Sequence, residues 1–215
     1  MKGSCVIFCA GQFGGLAEPI GPRDLVIAAD GGLAHTRALG LEPQVILGDF
    51  DSLGRIPAGN NVLRYPVEKD DTDSMLALRE GLRRGYRRFM LYGALDGPRL
   101  DHTVANFQAL AFLAEHGAFG ILAGVDTMAA VVKNGGLRFP KDARGIVSVF
   151  CLGPDAEGVT SRNLQYSLEK GSLTAAFPLG VSNHFVGEPG EVTVERGSLL
   201  VLWPRQTGLP QTIQF

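Results

Sequence analysis

The stretch QVILGDFDS, Gln44 to Ser52, runs an unbroken apolar segment straight into two aspartates, Asp49 and Asp51, with Gly48 before them and Phe50 between. A near-continuous apolar run suits a strand covered on both faces, as in a parallel sheet flanked by helices. The same layout recurs: LVIAAD at 25–30, NVLRYPV at 61–67 followed by EKDDTD, and RRFMLYGA at 87–94 followed by Leu95 and Asp96. With SCVIFCA at 4–10 and FGILAGV at 119–125, six strands are predicted. Helical periodicity lies between them at 32–40, 72–86 and 100–117. In 72–86 Met75, Leu78 and Leu82 share a stripe, and the acidic residues precede the arginines, as the helix dipole favours.

Strands alternating with helices predict a parallel α/β, Rossmann-like first half. After about residue 126 the pattern changes to short strand-like segments joined by Gly, Pro and Asn, with no helical period. That predicts a smaller all-β unit, a sandwich or barrel. The boundary is expected between Val125 and Gly135, giving 1–128 and 129–215.

The 215 residues carry 20 Lys+Arg against 22 Asp+Glu, a formal charge of -2. No basic helix or aromatic–basic stripe predicts nucleic-acid binding, and nothing predicts general attraction to anionic membranes. The apolar run after Lys2 is short and broken by GQFGG at 11–15, and no stretch is long enough to span a bilayer. Three cysteines, Cys5, Cys9 and Cys151, lie in apolar settings and read as free thiols in a reducing compartment. A cytoplasmic protein is expected.

Carboxylates crowd the expected C-terminal ends of successive strands: Asp30, then Asp49 and Asp51, then Asp70, Asp71 and Asp73, then Asp96 and Asp101. Open parallel sheets bind ligands beyond those ends. Each aspartate also has an ordinary reading. Asp71 or Thr72 and Asp101 suit helix caps, and Asp30 before Gly31-Gly32 suits a tight turn. Together they repel one another unless a cation offsets them. Carboxylates without His or Cys partners favour Mg2+ or Mn2+, held with substrate phosphates. The sequence has no GxxxxGK[ST] loop. Lys69 and Arg99 stand where they would neutralise a phosphoryl group or pair with a neighbouring Asp.

Four motifs, AADGG at 28–32, PQVILGDFDS at 43–52, KDDTDSMLAL at 69–78 and GALDGPRLDHTVANFQAL at 93–110, occur in an order that closely resembles the bacterial thiamin pyrophosphokinase (thiamin diphosphokinase) family. GVSNHF at 180–185 resembles that family's Ser-Thr-Ser-Asn stretch, with Gly180-Val181 in place of its first Ser-Thr. Gln44 stands where many members have Asp. The resemblance implies an α/β domain followed by a β-sandwich in a homodimer with active sites at the interface. It implies pyrophosphoryl transfer from ATP to thiamin, giving thiamin diphosphate and AMP, with Mg2+. Carried over by position, Asp49, Asp51, Asp71 and Asp73 would hold Mg2+ and the phosphates. Asp30, Gly31, Lys69, Thr72 and Arg99 would face ATP. Asp73, Asp101 and Arg99 would act at the transferred group, and Ser182 and Asn183 would contact thiamin from the partner subunit. His102 is a further possible base, and Trp203 is expected in the core.

Two alternatives stand beside this reading. Similar GDxDS and TD-type motifs occur in archaeal-type pyrophosphokinases acting on a pterin alcohol. A non-catalytic nucleotide- or metal-binding module is the other, although simple binding does not need so many carboxylates.

Overall fold

A computed structural model describes residues 2–50, 57–68 and 70–214. The apolar runs of the first half form β1 (Cys5–Phe8), β2 (Leu25–Ala29), β3 (Val45–Gly48), β4 (Val62–Arg64), β5 (Arg88–Tyr92) and β6 (Phe119–Ala123). They pair in parallel in the order β4-β3-β2-β1-β5-β6, with Cys5 opposite Leu25 on one side and Phe89 on the other. Helices α1 (Leu33–Ala38), α2 (Asp73–Arg83) and α3 (Leu100–Glu115) fall within the segments predicted as helical. Because the strands are parallel, all their C-terminal ends lie along one rim. The N-termini of all three helices follow from that rim.

The second half contains β7 (Thr127–Arg138), β8 (Ile146–Cys151), β9 (Ala156–Arg162), β10 (Leu168–Leu173), β11 (Asn183–His184), β12 (Glu191–Pro204) and β13 (Gln211–Gln214). It is β-rich, as expected, but it extends the first half's sheet. A turn at 124–126 returns β7 antiparallel to β6, with Ala123 opposite Met128. The order then continues β6-β7-β12-β9-β10. Strand β12 pairs with β7 along one edge, and its other edge is divided between β9 (191–196) and β8 (199–202). The composition change near residue 126 coincides with a reversal of strand direction, and the β-rich second half is hydrogen-bonded to the first where β7 pairs with β6.

Burial explains the period of each strand. On one face Phe8, Val26, Met90 and Tyr92 share a core with Phe139, Val201 and Trp203 from the second half. On the other, Ile7, Ile27, Leu47 and Leu91 meet Leu78 of α2 and Leu110 and Leu113 of α3. Trp203 is a core residue: its ring meets Phe139 edge-on at 5.4 Å and its Nε1 donates to the Gly208 carbonyl at 3.0 Å. Among the described residues no helix is long and apolar enough to cross a membrane.

The three cysteines are free. Cys5 and Cys9 are buried in the parallel sheet, and burial pushes both thiols well up, Cys9 to about 12. Cys151 is half-buried and its thiol donates to the Pro154 carbonyl at 3.0 Å. A thiol reagent at neutral pH is therefore expected to modify at most Cys151 in the native protein and all three cysteines in denaturant. Counting modified thiols by mass spectrometry checks this, and native modification of Cys5 or Cys9 would contradict the placement of β1.

Candidate active site

The rim is built from the ends of β1, β2, β3 and β5. Asp30 follows β2 and Asp49 follows β3, and the parallel register Ala29 opposite Leu47 sets them side by side. Gly48 makes this approach possible. Its φ is 145°, and a Cβ there would lie 3.2 Å from both Cα and Cβ of Asp30. Asp30 itself has φ 46° and opens a short 3-10 turn with Gly31 and Gly32. Phe50 has φ 63° and is 2% exposed, packed with Ala28, Leu33 and Ile46. Turning Phe50 inward leaves the half-buried Asp49 at the rim.

Helix α2 brings the third carboxylate. Thr72 caps it, accepting from the Met75 amide at 3.2 Å, and Asp73 occupies the first turn. Asp73 lies close enough to the end of β1 to help raise the Cys9 thiol, after burial as the larger cause. The start of α2 is tied down by Ser74, whose hydroxyl donates to Asn106 Oδ1 at 2.7 Å. Asn106 in turn donates to the Ala94 carbonyl at 2.7 Å. This buried link joins α2, α3 and the loop after β5 directly behind the rim. Asn106 was not singled out by sequence, although a polar residue on the apolar stripe of a helix is a signal for such a partner.

The remaining candidates are placed differently. Asp71 pairs with Arg79 at 3.0 Å. Arg99 and Asp101 pair with each other at 2.5 Å at the start of α3, both well exposed, and the guanidinium holds the Asp101 carboxyl below its usual range. The pairing anticipated for Arg99 is thus present. Asp96 accepts from the Val125 amide at 2.5 Å, a loop-holding role. His102 is exposed. Asp51 and Lys69 lie outside the described residues.

Ser182 and Asn183 lie at the far end of the sheet. Ser182 has φ 61° and its amide donates to the Ser148 hydroxyl at 3.1 Å. The Asn183 side chain accepts from the Tyr166 amide at 2.9 Å and donates to the Tyr166 carbonyl at 2.7 Å. It thereby braces one wall of a cavity of about 150 Å3, which Tyr166, Leu168, Leu179, Gly180 and Val149 also line. The lining is mostly apolar with a few polar groups, as small-molecule sites are. Six strand steps separate β2 from β9, which borders this cavity: roughly 29 Å measured along the sheet at about 4.8 Å per step.

The donor chemistry suits a hard cation in part. Asp30, Asp49 and Asp73 supply carboxylate oxygens, but among the described residues no three His, Cys, Asp or Glu side chains form a metal site. That partial set fits Mg2+, which usually takes one or two carboxylates and completes its shell with water and phosphate. The N-termini of α2 and α3 both stand on this rim, and their dipoles favour anionic ligands there.

Solved structures share this arrangement of strands and helices. A thiamine pyrophosphokinase from Bacillus subtilis superposes with a TM-score of 0.80 at 21% identity, covering 94% of this chain and 99% of that one. A thiamin pyrophosphokinase family protein from Enterococcus faecalis gives 0.76 at 25% identity over 94% and 99%. Thiamin pyrophosphokinase from Candida albicans gives 0.70 at 16% over 94% and 89%. No curated protein matches the chain by sequence. The model of the thiamin pyrophosphokinase catalytic domain matches residues 20–118, and that of the thiamin pyrophosphokinase vitamin B1 binding domain matches residues 137–199. The chain belongs to the thiamin pyrophosphokinase family.

The tight contact at Gly48 gives a test of the rim. Gly48→Ala is expected to cost about 1–2 kcal/mol in urea unfolding, from backbone strain and from pressing a methyl group against Asp30. A change within about 0.3 kcal/mol would show that the strand end relaxes freely.

Proposed function

We propose that the protein transfers the pyrophosphoryl group of ATP to the hydroxyl of thiamin, giving thiamin diphosphate and AMP. The observation that carries this reading is the division of the chain. A catalytic-domain match ends in a carboxylate rim at one end of the sheet, and a vitamin B1 binding-domain match surrounds a small cavity at the other.

In this reaction the thiamin hydroxyl oxygen bonds to the β-phosphorus and the bridging bond from the α-phosphate breaks. AMP takes the electrons of that bond, and the hydroxyl proton goes to a base. Such chemistry asks a protein mainly for in-line positioning and charge neutralisation. Asp49 and Asp73, with Asp51 and Asp71, would hold Mg2+. When bound, the ion supplies neutralisation of the triphosphate charge. Asp30 and Gly31 border the same rim, Thr72 leads into α2 beside it, and Lys69 would meet the phosphates from the same sequence motif. Asp73 or Asp101 would receive the hydroxyl proton. Arg99 would turn from Asp101 toward the transferred group, an exchange that its exposure allows. Tyr166 and Leu179 would supply walls for the thiamin rings, and Ser182 and Asn183 the polar contacts.

The separation between rim and cavity favours a homodimer in which the rim of one protomer faces the cavity of its partner. Tyr166 and Leu179 of the cavity wall, with Phe177, Val181 and Val186 near them along the chain, are exposed apolar side chains that give such an interface its material.

Purified protein with ATP, Mg2+ and thiamin is expected to release AMP and thiamin diphosphate. AMP formed only with a pterin alcohol would replace thiamin as the acceptor, and none with either would leave a binding module. Asp49→Asn and Asp73→Asn are each expected to lower turnover at least about tenfold with little change in unfolding midpoint. If the site is shared, mixing and refolding Asp73→Asn with an inactive Asn183→Ala variant is expected to restore roughly a quarter of wild-type activity, because random pairing rebuilds one intact site in half of the dimers. No recovery would place both groups in one protomer's site.

A further inference from the structure

We propose that Arg205 is a positioning residue that locks the GQFGG loop against the neighbouring rim loops so that the loop's main-chain amides receive the phosphates of the nucleotide. The kinetic part of this proposal rests on the pyrophosphokinase reading; its binding part does not.

Arg205 lies in a short 3-10 turn after β12, far along the chain from the rim. Its guanidinium nevertheless donates to two rim carbonyls, Nη1 to Gly124 at 2.5 Å and Nη2 to Gly15 at 2.6 Å. The first belongs to the turn between β6 and β7, the second to the loop after β1. Its backbone amide donates to the Asp126 carbonyl at 2.8 Å. No carboxylate among the described residues forms an ion pair with Arg205. Its charge is therefore spent on ordering main chain and adds positive potential beside the loop.

The rest of the loop is fastened just as closely. The Gly11 amide donates to the Gly93 carbonyl at 2.8 Å and the Gln12 amide to the Asp96 carbonyl at 2.7 Å. His35 Nε2 meets the Gly11 carbonyl at 2.9 Å, and the Ala17 amide donates to the Tyr92 hydroxyl at 2.9 Å. Gly14 sits so close to the β6–β7 turn that a Cβ would lie 2.8 Å from Val125 Cα. Between these ties the amides of Phe13, Gly14 and Gly15 have no acceptor among the described residues. Three consecutive free amides at the mouth of a parallel sheet suit a phosphate. A clamp on the loop's carbonyl side holds those amides in place, since Arg205 binds the carbonyl of Gly15 and leaves its N–H available. The anchor is itself rigid: Trp203 donates to the Gly208 carbonyl, the Gly208 amide donates to the Arg205 carbonyl at 3.1 Å, and the Thr207 hydroxyl donates to the Arg144 carbonyl at 3.1 Å.

The test compares wild type with Arg205→Met and Arg205→Lys in full-length protein. Calorimetry with Mg2+–ATP gives dissociation constants, and steady-state assays give KM for ATP and for thiamin. Arg205→Met is expected to weaken ATP binding at least about tenfold, as loss of two charge-assisted hydrogen bonds on a positioning group implies, while KM for thiamin stays within about twofold. Arg205→Lys reaches one carbonyl and is expected to recover part of the loss. Unfolding midpoints separate a merely structural role: a lower midpoint with unchanged ATP affinity would overturn the proposal, as would equal increases in both KM values. Wild type that binds ATP but forms no AMP with thiamin would refute the assigned reaction, and Arg205 would then be judged on the dissociation constants. Wild type that does not bind ATP would overturn the proposal itself.

Discussion

Parallel pairing of β1 with β2 and β5 is the constraint on which the site depends. Antiparallel neighbours would send their C-terminal ends to opposite edges, and the aspartates would never meet. Parallel pairing puts the ends of β1, β2, β3 and β5 on one line, with the starts of α2 and α3 beside them. The carboxylates are then neighbours because the hydrogen-bond ladder makes them so. The left-handed backbone at Asp30 and Phe50 is the local cost, and burial of Phe50 offsets it.

Asp71 and Asp101 have arginine partners and carry their compensation with them. Asp30, Asp49 and Asp73 lie where strand ends and the first turn of α2 converge. Helix dipoles and main-chain amides offset part of that negative potential. A triphosphate adds more negative charge, so a cation between carboxylates and phosphates is the physically economical bridge.

Much of this was readable from residue order. The apolar runs located the six parallel strands, the stripes located the helices, and aspartates following strands pointed to one rim. Asp96 follows a strand like the others, but its carboxylate is occupied with the Val125 amide. What sequence did not reveal lies in contacts between distant segments. The β-rich second half was legible, but its connection to the first was not: β7 pairs with β6 and carries the ladder onward, because strand patterning tells which face is buried and not which edge is paired. Asn106 and Arg205 escaped notice for a similar reason. One is a single polar residue within an apolar helix and the other a lone arginine after a strand, and only the fold brings their partners within reach.

The single tryptophan of this chain is 1% exposed and stands two residues before the arginine that grips the rim. Its indole is packed against Phe139 and hydrogen-bonded within the same turn that carries that arginine. The protein thus contains one optical reporter, with no second indole to blur it, mechanically joined to the loops at the mouth of the sheet. Its emission in the unliganded state is expected to be that of a dry, apolar site. Shifts on adding nucleotide would then read out movement transmitted from those loops into the core.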